Sequence, residues 1–204
     1  IKTERLSKKN YYHEVELFTA SGNNFYKNTR SYLEKILSLP VKDKTIHTIV
    51  LHNAFEPYNP WRAIKYFNDA RCIVVDRDPR DIYVTARTYS EGFNDNVGVY
   101  EKTSFAFDVD LFIERFKILR DKTDYTNDVN GRILRLKFED MVINYDSTLQ
   151  KIYGFLHEEK DNHVDQFKYF NPSSSRKNIG LWKDYPVKNE IEKIYAALKR
   201  YCYE

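Results

Sequence analysis

The distribution of apolar residues along the chain predicts strands that alternate with helices. The apolar, mostly β-branched run at 72–75 is typical of a strand covered on both faces of a sheet, and residues 45–52 and 132–138 show similar patterns. Apolar residues recur at helical spacing in the segments 28–39, 61–67, 107–119, 147–156 and 187–201. This alternation predicts an α/β fold, a parallel sheet flanked by helices, with a right-handed crossover between strands 45–52 and 72–75.

Other segments carry weaker signals. Residues 1–27 are polar without a clear period, and a turn signal lies at residues 21–24. The segment 91–105 has the composition of a loop of the kind that closes over a substrate. Ser147 and Gln150 have the spacing of a capping box, which predicts that a helix begins there.

The predicted central strand ends abruptly in the charged segment DRDPRD, residues 76–81. Asp78 is placed to cap a helix and Pro79 to occupy its first position, where the missing N–H costs nothing. Ligands bind at this edge of open α/β sheets, and a helix amino terminus favours phosphate. Arg77 can hold two phosphate oxygens at once, and Thr85 can offer a hydroxyl from the new helix. The alternative is that Arg77 and Arg80 form ordinary surface ion pairs with the neighbouring aspartates.

Composition excludes several classes of function. The 204 residues, 42% hydrophobic and 16% aromatic, suffice for one domain with a substantial core. The 33 Lys and Arg residues nearly balance 30 Asp and Glu residues, and a net charge of +3 argues against a general nucleic-acid binder. Two cysteines and five scattered histidines fit neither a disulfide scaffold nor a zinc site. Since no apolar run approaches the roughly 20 residues of a membrane span, we expect a soluble, cytoplasmic protein, with residue usage that hints at a bacterial source.

The residue order after the central strand resembles the 3'-phosphate-binding segment of the sulfotransferase family. An Arg is followed by one residue, Pro, a basic residue and Asp, and a hydroxyl residue lies eight positions after the first Arg. The resemblance implies a P-loop NTPase-like sulfotransferase fold. It also implies transfer of a sulfuryl group from 3'-phosphoadenosine 5'-phosphosulfate (PAPS) to an acceptor hydroxyl or amine. Arg77 matches the family's phosphate-binding Arg, and Thr85 matches its Ser.

The same resemblance implies a catalytic base at His52. In sulfotransferases a His at the end of the strand that precedes the 3'-phosphate segment removes the acceptor's proton, and His52 ends the predicted strand 45–52. Because the carboxyl ends of parallel strands share one edge, we expect His52 and Arg77 to lie at the same edge. Val50 stands where cytosolic members often carry Lys, which removes one possible cation. Taken alone, a His at a strand end is more often a structural hydrogen-bonding residue.

Two later segments extend the resemblance. The sequence FEDM, which begins at Phe138, resembles the family's Tyr-Glu-Asp-Leu tetrad, and this implies that the Phe138 ring packs near adenine without a phenolic hydrogen bond. Residues 173–185 resemble the segment that closes over the 3'-phosphate, which implies nucleotide contacts from Arg176, Lys177 and Asn178. Asn178 replaces a Gly of the family. Taken alone, Phe138 is better explained as a core residue and the later segment as a basic surface loop.

The resemblance covers roughly residues 46–185, yet one family element has no counterpart. Sulfotransferases hold the 5'-phosphosulfate with a Gly-rich loop near the amino terminus, and the first 45 residues contain no such loop. We therefore expect a single sulfotransferase-like domain at 1–204 that is incomplete at its amino terminus. The missing loop would supply the cation on the bridging oxygen, and no metal is implied.

These observations predict a PAPS-dependent sulfotransferase in which His52 is the general base. The acceptor would be a glycan, a sterol-like alcohol or another small alcohol, and we expect no nucleic-acid partner. Two alternatives stay open. One is a P-loop nucleoside or sugar kinase, which metal dependence would reveal. The other is a noncatalytic module that binds an adenine nucleotide or a glycan on the same scaffold, which would bind the donor without turnover.

Overall fold

A computed structural model of the chain describes residues 3–8, 12–18, 22–39, 48–52, 59–92, 108–121, 131–160 and 163–204. Within this part of the chain there are two compact units, one made of residues 1–56 and 61–70 and the other of residues 57–60 and 71–204. The single domain expected from the sequence stays a prediction. Every helix in the described ranges is too short or too polar to span a bilayer.

The first unit contains a hairpin and two helices. Strands β1 (Thr3–Lys8) and β2 (Tyr12–Phe18) pair antiparallel. Helix α1 spans Gly22–Ser38 and helix α2 spans Trp61–Ile64. Thus α1 begins six residues before the predicted segment 28–39, and residues 22–24 of the predicted turn are helical.

Side chains of α1 bind the residues that follow α2. Arg30 donates from Nη2 to the carbonyl oxygen of Lys65 at 2.9 Å, and the Tyr26 and Tyr66 rings stack with centroids 5.3 Å apart. Asn68 donates from Nδ2 to Glu34 Oε1 at 3.3 Å. No residue described on α1 is buried, so partly exposed polar and aromatic contacts of this kind join α1 to residues 65–68.

The strand predicted at 45–52 is not formed by its described residues. Residues 48–52 have no strand structure, and residues 45–47 lie outside the described ranges. The side chains of Ile49, Val50 and Leu51 are 45%, 88% and 43% exposed. A buried strand requires surfaces that cover its apolar residues, and these residues lack such cover. The predicted crossover pairing of this segment with the central strand is therefore absent from the described residues.

The second unit is built on two parallel strands. Strand β3 (Cys72–Asp76) pairs with β4 (Ile133–Lys137), with Val74 opposite Arg135 and Asp76 opposite Lys137. The parallel sheet predicted from the sequence is confirmed. Val74 is buried, whereas Ile73 and Val75 are 37% and 48% exposed, so the strand predicted to be covered on both faces has one exposed face in the structure.

Helices surround this strand pair. They are α3 (Pro79–Gly92), α4 (Val109–Asp121), α5 (Phe138–Ile143), α6 (Tyr145–Leu156), α7 (Pro172–Ser175) and α8 (Lys188–Leu198), with short 3₁₀ helices at Arg176–Asn178, Leu181–Lys183 and Lys199–Tyr201. Residues 93–107, which include most of the predicted loop 91–105, lie outside the described ranges. The prediction that a helix begins with a capping box at Ser147 was wrong. Helix α6 begins at Tyr145, and Ser147 Oγ donates to the carbonyl of Asn144 at 3.0 Å.

The core of the second unit lies between α3, α4 and α8. Its buried members are Tyr83, Val84, Val109, Phe112, Phe116, Ile191, Ile194 and Leu198. The Tyr83 and Phe112 rings meet edge to face at 5.1 Å. Leu181, Trp182 and Tyr185 pack against the same cluster, which brings the carboxyl-terminal segment alongside α3.

Candidate functional site

The Asp76 carboxylate, at the carboxyl end of β3, forms ion pairs with two arginines. Asp76, the last residue of β3, accepts a hydrogen bond and ion pair from Arg120 of α4. Arg135 of the adjacent strand lies 3.4 Å from the other carboxylate oxygen. Asp76 is therefore tied to both neighbouring elements, and the residue that follows it, Arg77, starts from a fixed strand end.

Asp78 and Pro79 begin α3 as the sequence predicts. The Asp78 Oδ1 accepts the backbone N–H of Arg80 at 2.8 Å, and Pro79 is the first helical residue. The backbone N–H of Asp78 donates to Glu139 Oε1 at 2.8 Å. Glu139 belongs to α5, directly after β4, so this contact joins the ends of the two parallel strands.

Arg80 is a buried structural residue. Its guanidinium binds both carboxylate oxygens of Asp78, at 2.6 Å from Nη2 and 3.0 Å from Nε, and donates to the carbonyl of Tyr203 at 3.1 Å. The guanidinium carbon also lies 4.1 Å from the centroid of the Trp182 ring. Arg80 thus forms the aspartate pair that the alternative interpretation expected, but inside the protein and not on its surface.

Arg77 behaves differently from Arg80. It donates from Nη1 to Thr85 Oγ1 at 3.2 Å and from Nη2 to the carbonyl of Asn178 at 2.6 Å. Its guanidinium carbon lies 5.4 Å from the centroid of the Phe138 ring. Among the described residues it forms no ion pair, and its buried Nε has no hydrogen-bond partner. The structure therefore brings Thr85, Phe138 and Asn178 together around the Arg77 guanidinium, which forms no direct ion pair in the described ranges.

The segment of residues 176–183, here named the carboxyl-terminal strap, runs past Arg77 as two 3₁₀ helices. The side chains of Arg176 and Lys177 are exposed at its start and have no hydrogen-bond or ion-pair partner in the described ranges. Gly180 adopts the left-handed conformation at φ 77°, which favours glycine. Trp182 anchors the strap against the core, as the sequence indicated.

Two carboxylates that organise the site were not singled out from the sequence. Asp81, on α3, is 1% exposed and accepts the backbone N–H groups of Gly180 at 2.8 Å and Trp182 at 3.2 Å. Burial raises the pKa of Asp81, while these two N–H donors and Arg77 act to lower it. Burial also raises the pKa of Glu139, whose Oε2 has no partner. Both lie in the family-like segments, but their partners are 61 to 101 residues away along the chain.

A pocket of about 560 Å³ opens between α3 and the carboxyl-terminal strap. Arg77, Thr85, Thr88, Asn178 and Asp184 supply its polar lining, and Val84, Leu181, Tyr185 and Pro186 its apolar lining. The hydroxyl groups of Tyr83 and Tyr185 each donate to Glu190 Oε2 at 2.9 Å, and burial raises the pKa of both phenols. These bonds fix the wall of the pocket to α8.

His52 lies in the first unit, at the exposed end of residues 48–52. Arg77 belongs to the second unit, so the shared edge expected for these two residues stays a prediction. Among the described residues, no group of three or more His, Cys, Asp or Glu side chains could hold a metal ion.

The fold and the site define an α/β protein whose parallel strands present an arginine at their carboxyl ends. The sequence model of the sulfotransferase family matches residues 27–162. This match spans about two thirds of the 204 residues, and the chain belongs to the sulfotransferase family. Neither the curated proteins nor the solved structures yield a match. Membership confirms the family and the P-loop-like α/β fold predicted from the sequence, and it makes the protein a transferase. His52, Arg77, Thr85 and Phe138 lie within the matched residues, and the carboxyl-terminal strap lies beyond them.

Proposed function

We propose that this sulfotransferase draws its sulfuryl group from PAPS and binds the 3'-phosphate of that donor beside Arg77. The observation that carries the proposal is the buried Nε of Arg77, which has no acceptor among the described residues. A buried donor left without a partner costs free energy, and a phosphate oxygen would supply the missing acceptor. Arg77 also follows the carboxyl end of a parallel strand, where ligands of open α/β sheets bind.

The present partners of Arg77 are compatible with phosphate binding. Its two Nη atoms donate to neutral oxygens, on Thr85 and on the backbone of Asn178. A phosphate adds the attraction between opposite charges to such hydrogen bonds and can accept two guanidinium N–H groups at once. An incoming phosphate can therefore take over these donors while the Thr85 hydroxyl turns to donate to it. Asp184 lines the same pocket and would repel a phosphate, so the phosphate should bind at the end of the pocket that Arg77 lines.

The other nucleotide contacts would come from residues around this point. Arg176 and Lys177 are exposed cations that immediately precede Asn178, so they can fold toward a bound phosphate. Phe138 is partly buried and its ring lies against the Arg77 guanidinium, which leaves an apolar surface suited to a purine. These residues would set the position of the donor and leave the reacting groups to the rest of the site.

In the proposed reaction His52 accepts the proton of an acceptor hydroxyl as that oxygen attacks sulfur. A new sulfur–oxygen bond forms, the bond from sulfur to the bridging phosphate oxygen breaks, and adenosine 3',5'-bisphosphate leaves with the electron pair. General-base assistance of this kind is worth on the order of 10² to 10⁴ in rate. The acceptor would be a glycan, a sterol-like alcohol or another small alcohol.

Transfer of radioactive sulfur from PAPS tests this proposal. We expect His52→Ala to lower transfer to an acceptor pool by about 10²-fold or more while adenosine 3',5'-bisphosphate still binds. His157→Asn is the matched control, because His157 has a φ of 59° that Asn also tolerates and lies at the exposed end of α6. Its transfer rate should equal that of the wild type.

The outcomes separate the parts of the proposal. Equal transfer by the wild type and His52→Ala would remove His52 from the mechanism. Nucleotide binding without any transfer by the intact protein would favour a noncatalytic module. Arg77→Lys should weaken adenosine 3',5'-bisphosphate binding by about tenfold or more, because Lys cannot reproduce the planar fork. Unchanged binding in Arg77→Lys would refute the phosphate position.

A further inference from the structure

Asp81 is a buried carboxylate four residues after Arg77. Its side chain is 1% exposed, and its two carboxylate oxygens bind separate backbone N–H groups of the carboxyl-terminal strap. Burying a carboxylate is costly unless hydrogen bonds compensate it. A carboxylate in this place therefore requires the strap to be present, and the strap in turn requires a group that accepts two hydrogen bonds.

The strap is attached to the start of α3 at three backbone points. The carbonyl of Asn178 accepts from Arg77, and the N–H groups of Gly180 and Trp182 donate to Asp81. Two of these three bonds depend on Asp81. Since Asp81 and Thr85 are four residues apart on α3, both side chains lie on one face of that helix. The strap is thereby held over the Thr85 side of α3, where the pocket opens.

We propose that Asp81 is a positioning residue that holds the carboxyl-terminal strap in place for the donor nucleotide, an inference that rests on the proposed PAPS site. Asp81 itself does not touch the nucleotide. It sets the place of Asn178 beside Arg77 and, through the same turn, the starting points of the exposed Arg176 and Lys177 chains. Because His52 lies on a different segment, loss of this hold should impair donor binding and leave the chemical step intact.

Asp81→Asn is the informative variant, since the two residues have the same size. Both partners of the carboxylate are donors, whereas an amide offers one acceptor oxygen and one NH₂ group. The NH₂ group would face a second N–H donor, so at least one bond to the strap is lost. We expect adenosine 3',5'-bisphosphate to bind about tenfold more weakly, with a matching rise in the KM for PAPS and a kcat within about twofold of the wild type.

Limited trypsin digestion measures how accessible the strap is, and it does not depend on enzymatic activity. Arg176, Lys177 and Lys183 are its cleavage sites. We expect faster cleavage at these residues in Asp81→Asn than in the wild type, and saturating nucleotide should slow it again. Asp110→Asn is the matched control, because Asp110 is exposed on α4 and its side chain forms an ion pair with the exposed Lys193. Its cleavage and its nucleotide affinity should match the wild type.

Each result has a distinct meaning. The inference would be overturned if Asp81→Asn had the same trypsin cleavage rate and the same nucleotide affinity as the wild type. It would also be overturned if Asp81→Asn lost kcat and donor affinity by the same factor. Failure of the wild type to bind the nucleotide would overturn the donor assignment; faster strap cleavage in Asp81→Asn would then still support the structural hold. If Asp81→Asn does not fold, hydrogen exchange on the wild type decides. The backbone amides of Gly180 and Trp182 should exchange slowly, and rapid exchange of both would contradict the proposal that Asp81 positions the strap.

Discussion

Replacement of Arg80 by Met separates a structural arginine from a ligand-binding one. Arg80 occupies the basic position of the family's 3'-phosphate segment, yet its guanidinium is buried against Asp78 and Trp182. Methionine keeps the straight apolar stem and a similar helix propensity. The variant therefore removes the guanidinium and changes little else.

The magnitude follows from the contacts that are lost. Three hydrogen bonds to the Asp78 carboxylate, one to the carbonyl of Tyr203 and the contact with Trp182 disappear. Breaking a buried ion pair by removing one partner costs about 3–5 kcal/mol. The Asp78 carboxylate retains the backbone N–H groups of Arg80 and Tyr203, at 2.8 and 2.9 Å, so the lower end of that range applies. A loss of about 3 kcal/mol in the free energy of unfolding corresponds to about 6–12 °C in Tm for a chain of this size.

Denaturant unfolding and nucleotide titration together test this assignment. Arg115→Met is the matched control, since Arg115 is exposed on α4 and should change stability by no more than about 0.5 kcal/mol. At a temperature where Arg80→Met is folded, its affinity for adenosine 3',5'-bisphosphate should stay within about threefold of the wild type. A variant of wild-type stability that has lost nucleotide binding would show that Arg80 is a phosphate ligand and that the buried pair is unimportant.

Two further predictions concern the same neighbourhood. Burial raises the pKa of Glu139 above its ordinary value of 4.5, so the native protein keeps a proton there that the unfolded chain releases, and this stabilisation is lost as pH rises through the raised pKa. Glu139→Gln does not titrate, so its stability relative to the wild type should increase as pH rises above 4.5; a constant or falling difference in denaturant unfolding would refute this. Gly180→Ala places a Cβ at φ 77°, and we expect a loss of about 1 kcal/mol with weaker nucleotide binding; Gly154→Ala within α6, which should not destabilise, is its control. Equal stabilities of the two alanine variants would contradict the strain at Gly180.

The segment from β3 into α3 shows how far local patterns reach. The apolar run predicted β3, and Asp78 with Pro79 predicted where α3 begins, because caps and strand patterns act over a few residues. The same holds for β4 and for the final helix α8, whose observed bounds lie close to the predicted ones. The juxtaposition of Arg77 with Thr85 was also predicted, since both lie within one strand–helix unit.

Residues 45–52 show where local patterns fail. The apolar residues there matched a buried strand, but whether such a run forms a strand depends on a partner and on covering surfaces that lie elsewhere in the chain. The described residues 48–52 have neither. Likewise, a capping-box spacing at Ser147 predicted a helix start that Asn144 and Tyr145 provide instead.

The sequence by itself determined the family, through several short motifs in a fixed order along the chain. It also determined the strand that ends at Asp76 and the helix that follows, because strand patterns and helix caps depend on residue order over a short span. Only the tertiary structure decided which charged side chains have ion-pair or hydrogen-bond partners. In the folded protein Arg80 forms an ion pair with Asp78 beside the Trp182 ring. The Asp81 carboxylate accepts hydrogen bonds from the backbone N–H groups of Gly180 and Trp182, and the Nε of Arg77 has no acceptor in the described ranges. The contacts of Asp81 with Gly180 and Trp182 join residues about a hundred positions apart, and they form because α3, α8 and the carboxyl-terminal strap pack on a common core.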